Sequence, residues 1–111
     1  MRMVKKMAAQ GDVCFCKIEL LPENVKQDRT KKMVVAHSEA GHDHVVDGVN
    51  VKLFRLENDP MICYLQVSGP YADIVHHRSF DTHETLRLPT GIWEARRQEE
   101  WSPEGWRMAA D

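Results

Sequence analysis

The chain predicts an all-β fold, a small antiparallel β-sandwich or barrel of the jelly-roll or cupin-like kind, ending in a short C-terminal helix or 3-10 turn. Three observations predict it. Short runs rich in Val, Ile, Leu and Phe recur along the sequence, as strands do. Gly, Pro, Asn and Asp separate these runs every 8 to 12 residues or so, the usual spacing of small all-β domains. The same breakers interrupt every stretch that would need the 3.6-residue period of a long helix.

In chain order, strands are expected over Asp12 to Leu20, Met33 to Ser38, His44 to Val46, Val51 to Leu56, Met61 to Val67, Tyr71 to His77, Thr85 to Leu88 and Ile92 to Gln98. Asp47-Gly48 lies between β-branched flanks and suits a tight turn with positive φ. It should fold the His44 strand onto the strand that follows. Asn58-Asp59-Pro60 marks a second hairpin, whereas Ser68-Gly69-Pro70 and Pro89-Thr90-Gly91 read as turns between further strands. The basic stretch Lys26 to Lys32 reads as a solvated loop. Ser102-Pro103-Glu104 is the one good helix start, with Ser as N-cap and Pro at the first helical position. Trp101 and Trp106 are expected to pin this tail to the sheet.

With 111 residues and 12.8 kDa the chain has room for one domain, 1–111, of which 1–9 is expected to be a flexible N-terminal segment. A net charge of −2 with dispersed Lys and Arg disfavours nucleic acid, whose phosphates call for a cationic surface. No apolar window approaches a membrane span or a signal-peptide core. Cys14, Cys16 and Cys63 are an odd number, unlike the paired framework of a small secreted domain, so the cytoplasm is expected. Cys14-Phe15-Cys16 reads as small hydrophobes packing in a strand.

Six histidines are many for this length: His37, His42, His44, His76, His77 and His83. In the extended Gly41-His42-Asp43-His44, two imidazoles at i and i+2 share a face and can reach one ion. The expected metal ligands are His42, His44 and His83, with Glu84 as a further candidate and His76 as an alternative. Imidazole with carboxylate suits Zn, Fe or Mn. In the strand Tyr71 to His77, alternation puts His76 on one face with Ala72 and Ile74, and His77 on the other. No nucleophile motif or phosphate-cradling loop occurs. Arg96, Arg97 and Trp101 form a candidate strip for a partner or anion, given the planar donor fork of Arg and the nearby indole.

These segments together resemble a family of small proteins of no established activity, encoded in bacteriophages, prophages and some bacterial genomes. The residues that carry the resemblance are Gln10-Gly11-Asp12-Val13, Gly41-His42-Asp43-His44, His83 ahead of Leu88-Pro89-Thr90-Gly91, and the tail Arg97 to Glu104 with Arg107 and Asp111. The family carries a Gly-His-x-His and a later His-Glu-Glu-His segment, whose second histidine corresponds to His83. Phe80 stands where the first would be. The resemblance leaves His42, His44 and His83 as inherited ligand candidates.

The expected function is that of a small accessory or binding protein of phage or mobile-element origin, acting through protein contacts in the host cytoplasm or virion. An enzyme is the less favoured class, because no complete catalytic constellation can be assembled. The alternatives are a small metal-dependent enzyme on the His-x-His site, and a protein that sequesters an anionic metabolite beside Arg96 or Arg87. The expected partner is a protein, with a second copy of the chain among the candidates, and neither nucleic acid nor membrane.

Overall fold

The computed structural model describes residues 1–36, 43–77, 82–102 and 105–108. Every regular element among them is a strand: β1 (Arg2–Met3), β2 (Met7–Gln10), β3 (Val13–Ile18), β4 (Val25–Asp28), β5 (Val34–Ala36), β6 (His44–Gly48), β7 (Val51–Leu56), β8 (Asp59–His77), β9 (Thr82–Arg97), β10 (Glu99–Ser102) and β11 (Gly105–Met108). The all-β expectation holds. The sheet is antiparallel except where β1 runs parallel to β9. It curls on itself as a half-barrel.

The long hairpin β8–β9 is the spine. The first half of β8 pairs with β7 and its second half with β6, while the second half of β9 pairs with β3 and its first half with β1. Strands β2, β4 and β5 add outside β3, β7 and β6 respectively.

The expected turns at Ser68-Gly69-Pro70 and Pro89-Thr90-Gly91 are a correction, since β8 and β9 run through them unbroken. The Asp47-Gly48 hairpin is another. Strands β6 and β7 do not pair with each other but follow one another along the same edge of β8, with the corner at Val49 and Asn50. All three breakers therefore lie side by side and form a single crease across the sheet. A register shift between Val67 and Tyr71 marks it on the β8–β9 ladder. Such an irregularity accommodates a proline that has no N–H to donate. Asn50, at φ 57°, turns the corner, Ser68 N donates to Asn50 O at 2.9 Å, and Thr90 Oγ1 donates to Gly69 O at 2.6 Å. Gly69 is needed because a Cβ there would collide with the Val49 carbonyl oxygen.

Folding along the crease brings the two halves of the sheet face to face. Val13, Phe15, Leu53, Leu65, Trp93 and Ala95 from one half pack in one cluster with Val46, Ala72, Ile74, Leu86 and Leu88 from the other. Polar bonds also cross between strands that share no ladder: Gln10 Nε2 to carbonyls of β8 and β9, Arg55 Nη2 to Val34 O, and Cys63 Sγ to Val35 O at 3.7 Å. The 57–58 hairpin appears as expected, with Met61 N bonded to the Asp59 carboxylate at 3.0 Å.

Residues 1–9, expected as a flexible segment, instead carry β1 and most of β2, with Val4 and Ala8 in the core. Met and Ala are poor strand formers and do not alternate cleanly here, and the ladders come from β9 for β1 and from β3 for β2. Part of the Lys26 to Lys32 stretch is likewise strand, because β7 offers Val25 to Asp28 an edge. In place of a helix or 3-10 turn after Ser102, β10 and β11 form a separate two-stranded sheet. Ser-Pro-Glu-Gly is turn chemistry as well as a helix start.

A buried histidine pair as the candidate functional site

Strand register creates the site. On the inner face of the lower half, Val46, Ile74 and Leu86 form one cross-strand row, and the next row toward the sheet end is Ala36, His44 and His76, with His83 opposite His76. Plain alternation from Leu86 would have brought Glu84 to this position. The register shift between Ile74 and His76 brings His83 there instead. The alternation that groups His76 with Ala72 and Ile74 is realised, all three being fully buried.

His44 and His76 are both 0% exposed, and their rings stack with centroids 3.8 Å apart and planes 14° from parallel. Gln10 reaches them from β2. Its Nε2 donates to Ile74 O at 2.8 Å and to Glu84 O at 3.0 Å, which turns Oε1 toward His44 Nδ1 at 2.9 Å. Carbonyls only accept, so this amide has one chemically sensible orientation. With Oε1 as acceptor, His44 Nδ1 carries a proton.

The other ring nitrogen, His44 Nε2, faces Asp12 Oδ1 at 3.4 Å. Asp12 belongs to the turn between β2 and β3 and is itself buried. Its second oxygen accepts two bonds from Arg97, from Nε at 3.0 Å and Nη2 at 2.7 Å. The chain Gln10, His44, Asp12, Arg97 thus runs through the interior and ties β2, β6, β8 and β9 to one turn. Burying two charges is costly unless they are paired in good geometry, and the two-pronged Arg97 contact supplies that geometry.

The expected ligand set is distributed differently. His44 is in the cluster, His42 lies outside the described residues, His83 stands in register beside His76, and Glu84 is exposed with only its backbone carbonyl engaged. Among the described residues no three His, Cys, Asp or Glu side chains stand at ready-made metal-ligand spacing. Sequence reasoning missed Gln10, Asp12 and the internal role of Arg97. The signal available was Gln10-Gly11-Asp12, two polar residues around a glycine of φ 58°.

The Arg96, Arg97 and Trp101 strip is divided. Arg97 turns inward to Asp12, Arg96 lies exposed with Nε 3.2 Å from Glu94 Oε1, and Trp101 is the register partner of Trp106. Arg87, the other anion candidate, holds Asp73 by two bonds of 2.8 and 3.0 Å and lies 3.6 Å over the Tyr71 ring. Phe15 is in the core while Cys14 and Cys16 are half-buried on the opposite face. No helix among the described residues is long and apolar enough to cross a membrane.

Compared with known proteins, the chain matches over residues 9–98 a family described as a domain of unknown function (DUF8820). No curated protein and no solved structure matches it.

Proposed function

The chain belongs to the DUF8820 family, and we propose that it is a small accessory binding protein that acts through protein contacts made by its C-terminal hairpin. The observation that carries this reading is the separation of β10 and β11 from the main sheet, with Trp101 and Trp106 as direct register partners. An isolated two-stranded hairpin is marginally stable in water, and a second surface to pack against removes that weakness. Tryptophan is also enriched at the energetic centres of interfaces.

The burial of His44 and His76 at 0% exposure supports the same choice, since an enzyme on these residues would need a position open to substrate. The internal pairing of Arg97 and Arg87 leaves the anion-sequestering alternative with exposed Arg96 as its main cation. The resemblance to phage and prophage proteins supports a mobile-element origin and a host or virion protein as partner, met in the cytoplasm or in the particle.

The test is proximity cross-linking of the full chain in cells, with the captured partner then produced pure and titrated against wild type and the Trp101→Ala/Trp106→Ala variant. Loss of affinity by tenfold or more, with Tm unchanged, is the expected result. Equal affinity in the variant would move the interface elsewhere and end this reading.

A further inference from the structure

We propose that the depression between the end of β4 and the start of β7 binds a small, multiply charged phosphoryl ligand. The site lies on other strands than Arg87, Arg96 and Arg97 and is independent of the hairpin reading. Its volume is about 250 Å³, and its lining includes Arg29, Lys31 and Lys52, with Asp28 as the one acid.

The sequence spreads these cations over two segments, and strand pairing brings them together. Asp28 is the register partner of Leu53, so the chain leaving β4 at Arg29 passes alongside Lys52. Thr30 N donates to Asp28 Oδ1 at 3.0 Å, and the Thr30 hydroxyl donates to the same oxygen. These bonds hold the turn that carries Lys31 round the depression, with exposed Lys32 following it.

Asp28 does not neutralise the group, because its oxygens are engaged elsewhere. Oδ1 takes both bonds from Thr30, and Oδ2 takes Arg55 Nε at 2.8 Å. Among the described residues no carboxylate forms an ion pair with Arg29, Lys31, Lys32 or Lys52, all of them exposed. Arg55, Arg87, Arg96 and Arg97, by contrast, each hold one. The chain as a whole carries a charge of −2, so this local excess of positive charge runs against the mean. Buried Leu53 and half-buried Met33 and Val51 complete the lining. A concavity of one charge sign with apolar walls focuses the field on its contents.

The donors select the ligand. A carboxylate brings one charge and two oxygens in a plane, whereas a phosphoryl group brings up to about two charges and three acceptor oxygens. Three cations from two segments match the second, with the guanidinium fork of Arg29 able to take two oxygens at once. A recess, unlike a flat face, suits a free ligand more than a membrane surface.

The experiment titrates the full untagged chain with inorganic pyrophosphate at near-physiological salt, following backbone amide shifts and the heat of binding. Malonate serves as the dicarboxylate comparison. Expected are saturable binding of one equivalent, shifts concentrated at Gln27 to Met33 and Val51 to Leu53, and at least fivefold weaker binding of malonate. Arg29→Gln, Lys31→Gln and Lys52→Gln should each weaken pyrophosphate by about fivefold, the loss of one partly screened charge contact. Lys5→Gln and Lys26→Gln should stay within about twofold of wild type, Lys26 being already paired with Glu57 at 3.9 Å. All five side chains are exposed, so the variants leave the core intact. No saturation at millimolar pyrophosphate overturns the proposal, as do shifts spread evenly over the lysines, equal affinity for malonate, or equal losses in Lys26→Gln. Co-sedimentation with vesicles of phosphatidic acid in phosphatidylcholine that excess pyrophosphate fails to reverse would transfer the surface to a membrane and overturn the free-ligand assignment. The tryptophan variants of the hairpin should bind pyrophosphate as wild type does, so failure of either proposal is read separately.

Discussion

Gln10 sets the tautomer of His44. Its amide nitrogen is committed to two backbone carbonyls, so its oxygen meets Nδ1 at 2.9 Å and that nitrogen carries the hydrogen. A residue near the start of the chain thereby fixes the chemistry of a side chain at the start of β6.

Gln10→Leu removes this control and strands two carbonyls and one imidazole N–H in the interior. The expected cost is about 2–4 kcal/mol in denaturant unfolding, since each buried group left unsatisfied costs about 1–3 kcal/mol. In wild type, ¹⁵N-resolved imidazole spectra should show a slowly exchanging Nδ1–H on His44, and that signal should vanish in the variant. A wild-type spectrum with Nδ1 of His44 unprotonated would contradict the assignment.

Arg97→Ala removes the two N–H bonds to Asp12 Oδ2 and the positive charge beside this buried carboxylate. Breaking one side of a buried ion pair costs about 3–5 kcal/mol, a large part of the stability of a domain this size. By contrast Arg96→Ala, at an exposed side chain, should shift stability by less than about 0.5 kcal/mol. Equal effects at the two neighbours would refute the different placements of their side chains.

Asp28 provides a pH test. Thr30 hydrogen bonds and the Arg55 guanidinium, whose Nε lies 2.8 Å from Oδ2, pull its carboxyl down to about 2. A carboxyl lowered in the folded state stabilises above its unfolded pKa of about 3.9, and that contribution is lost as pH falls toward 2. Wild type should lose more stability than Asp28→Asn between pH 4 and 2, by less than about 1 kcal/mol because the pair is partly open to solvent. Parallel profiles would remove Asp28 from the acid limb.

Cys63 should be silent toward alkylation in the native state. Burial pushes its thiol up to about 12, and its Sγ points at Val35 O. The reactive thiolate is therefore scarce at ordinary pH. Its labelling should follow global unfolding, while half-buried Cys14 and Cys16 react earlier. Fast labelling of all three under native conditions would show that β5 does not cover β8.

Gly69→Ala tests the crease. The new methyl group meets a backbone carbonyl that cannot move aside without opening the β6–β7 corner. A loss of about 1–3 kcal/mol is expected, against less than about 0.5 kcal/mol for Ser68→Ala at the exposed position beside it.

Local pattern was enough for several features. Alternation in Tyr71 to His77 separates buried Ala72, Ile74 and His76 from the other face, and Asn58-Asp59-Pro60 marks where one strand turns back on another. These depend on neighbours two to four residues away, which period and turn chemistry encode. The crease was not legible, because Ser68-Gly69-Pro70 and Pro89-Thr90-Gly91 have the composition of loops, and only pairing of β8 with β9 across both makes them bends within a strand. The N-terminal strands were hidden for the same reason, their ladder being supplied by β3 and β9.

The histidine cluster shows the same division. The chain by itself determined that His76 shares a strand face with Ala72 and Ile74 and that His77 lies on the other. Tertiary structure decided which of them meet, since His44 and His76 touch only because β6 lies beside β8, and Gln10, Asp12 and Arg97 join them only because the sheet folds along its crease. Side-chain alternation is a property of each strand, but strand order and curl are set by burial of the whole core, so the partners of a buried polar group are settled last.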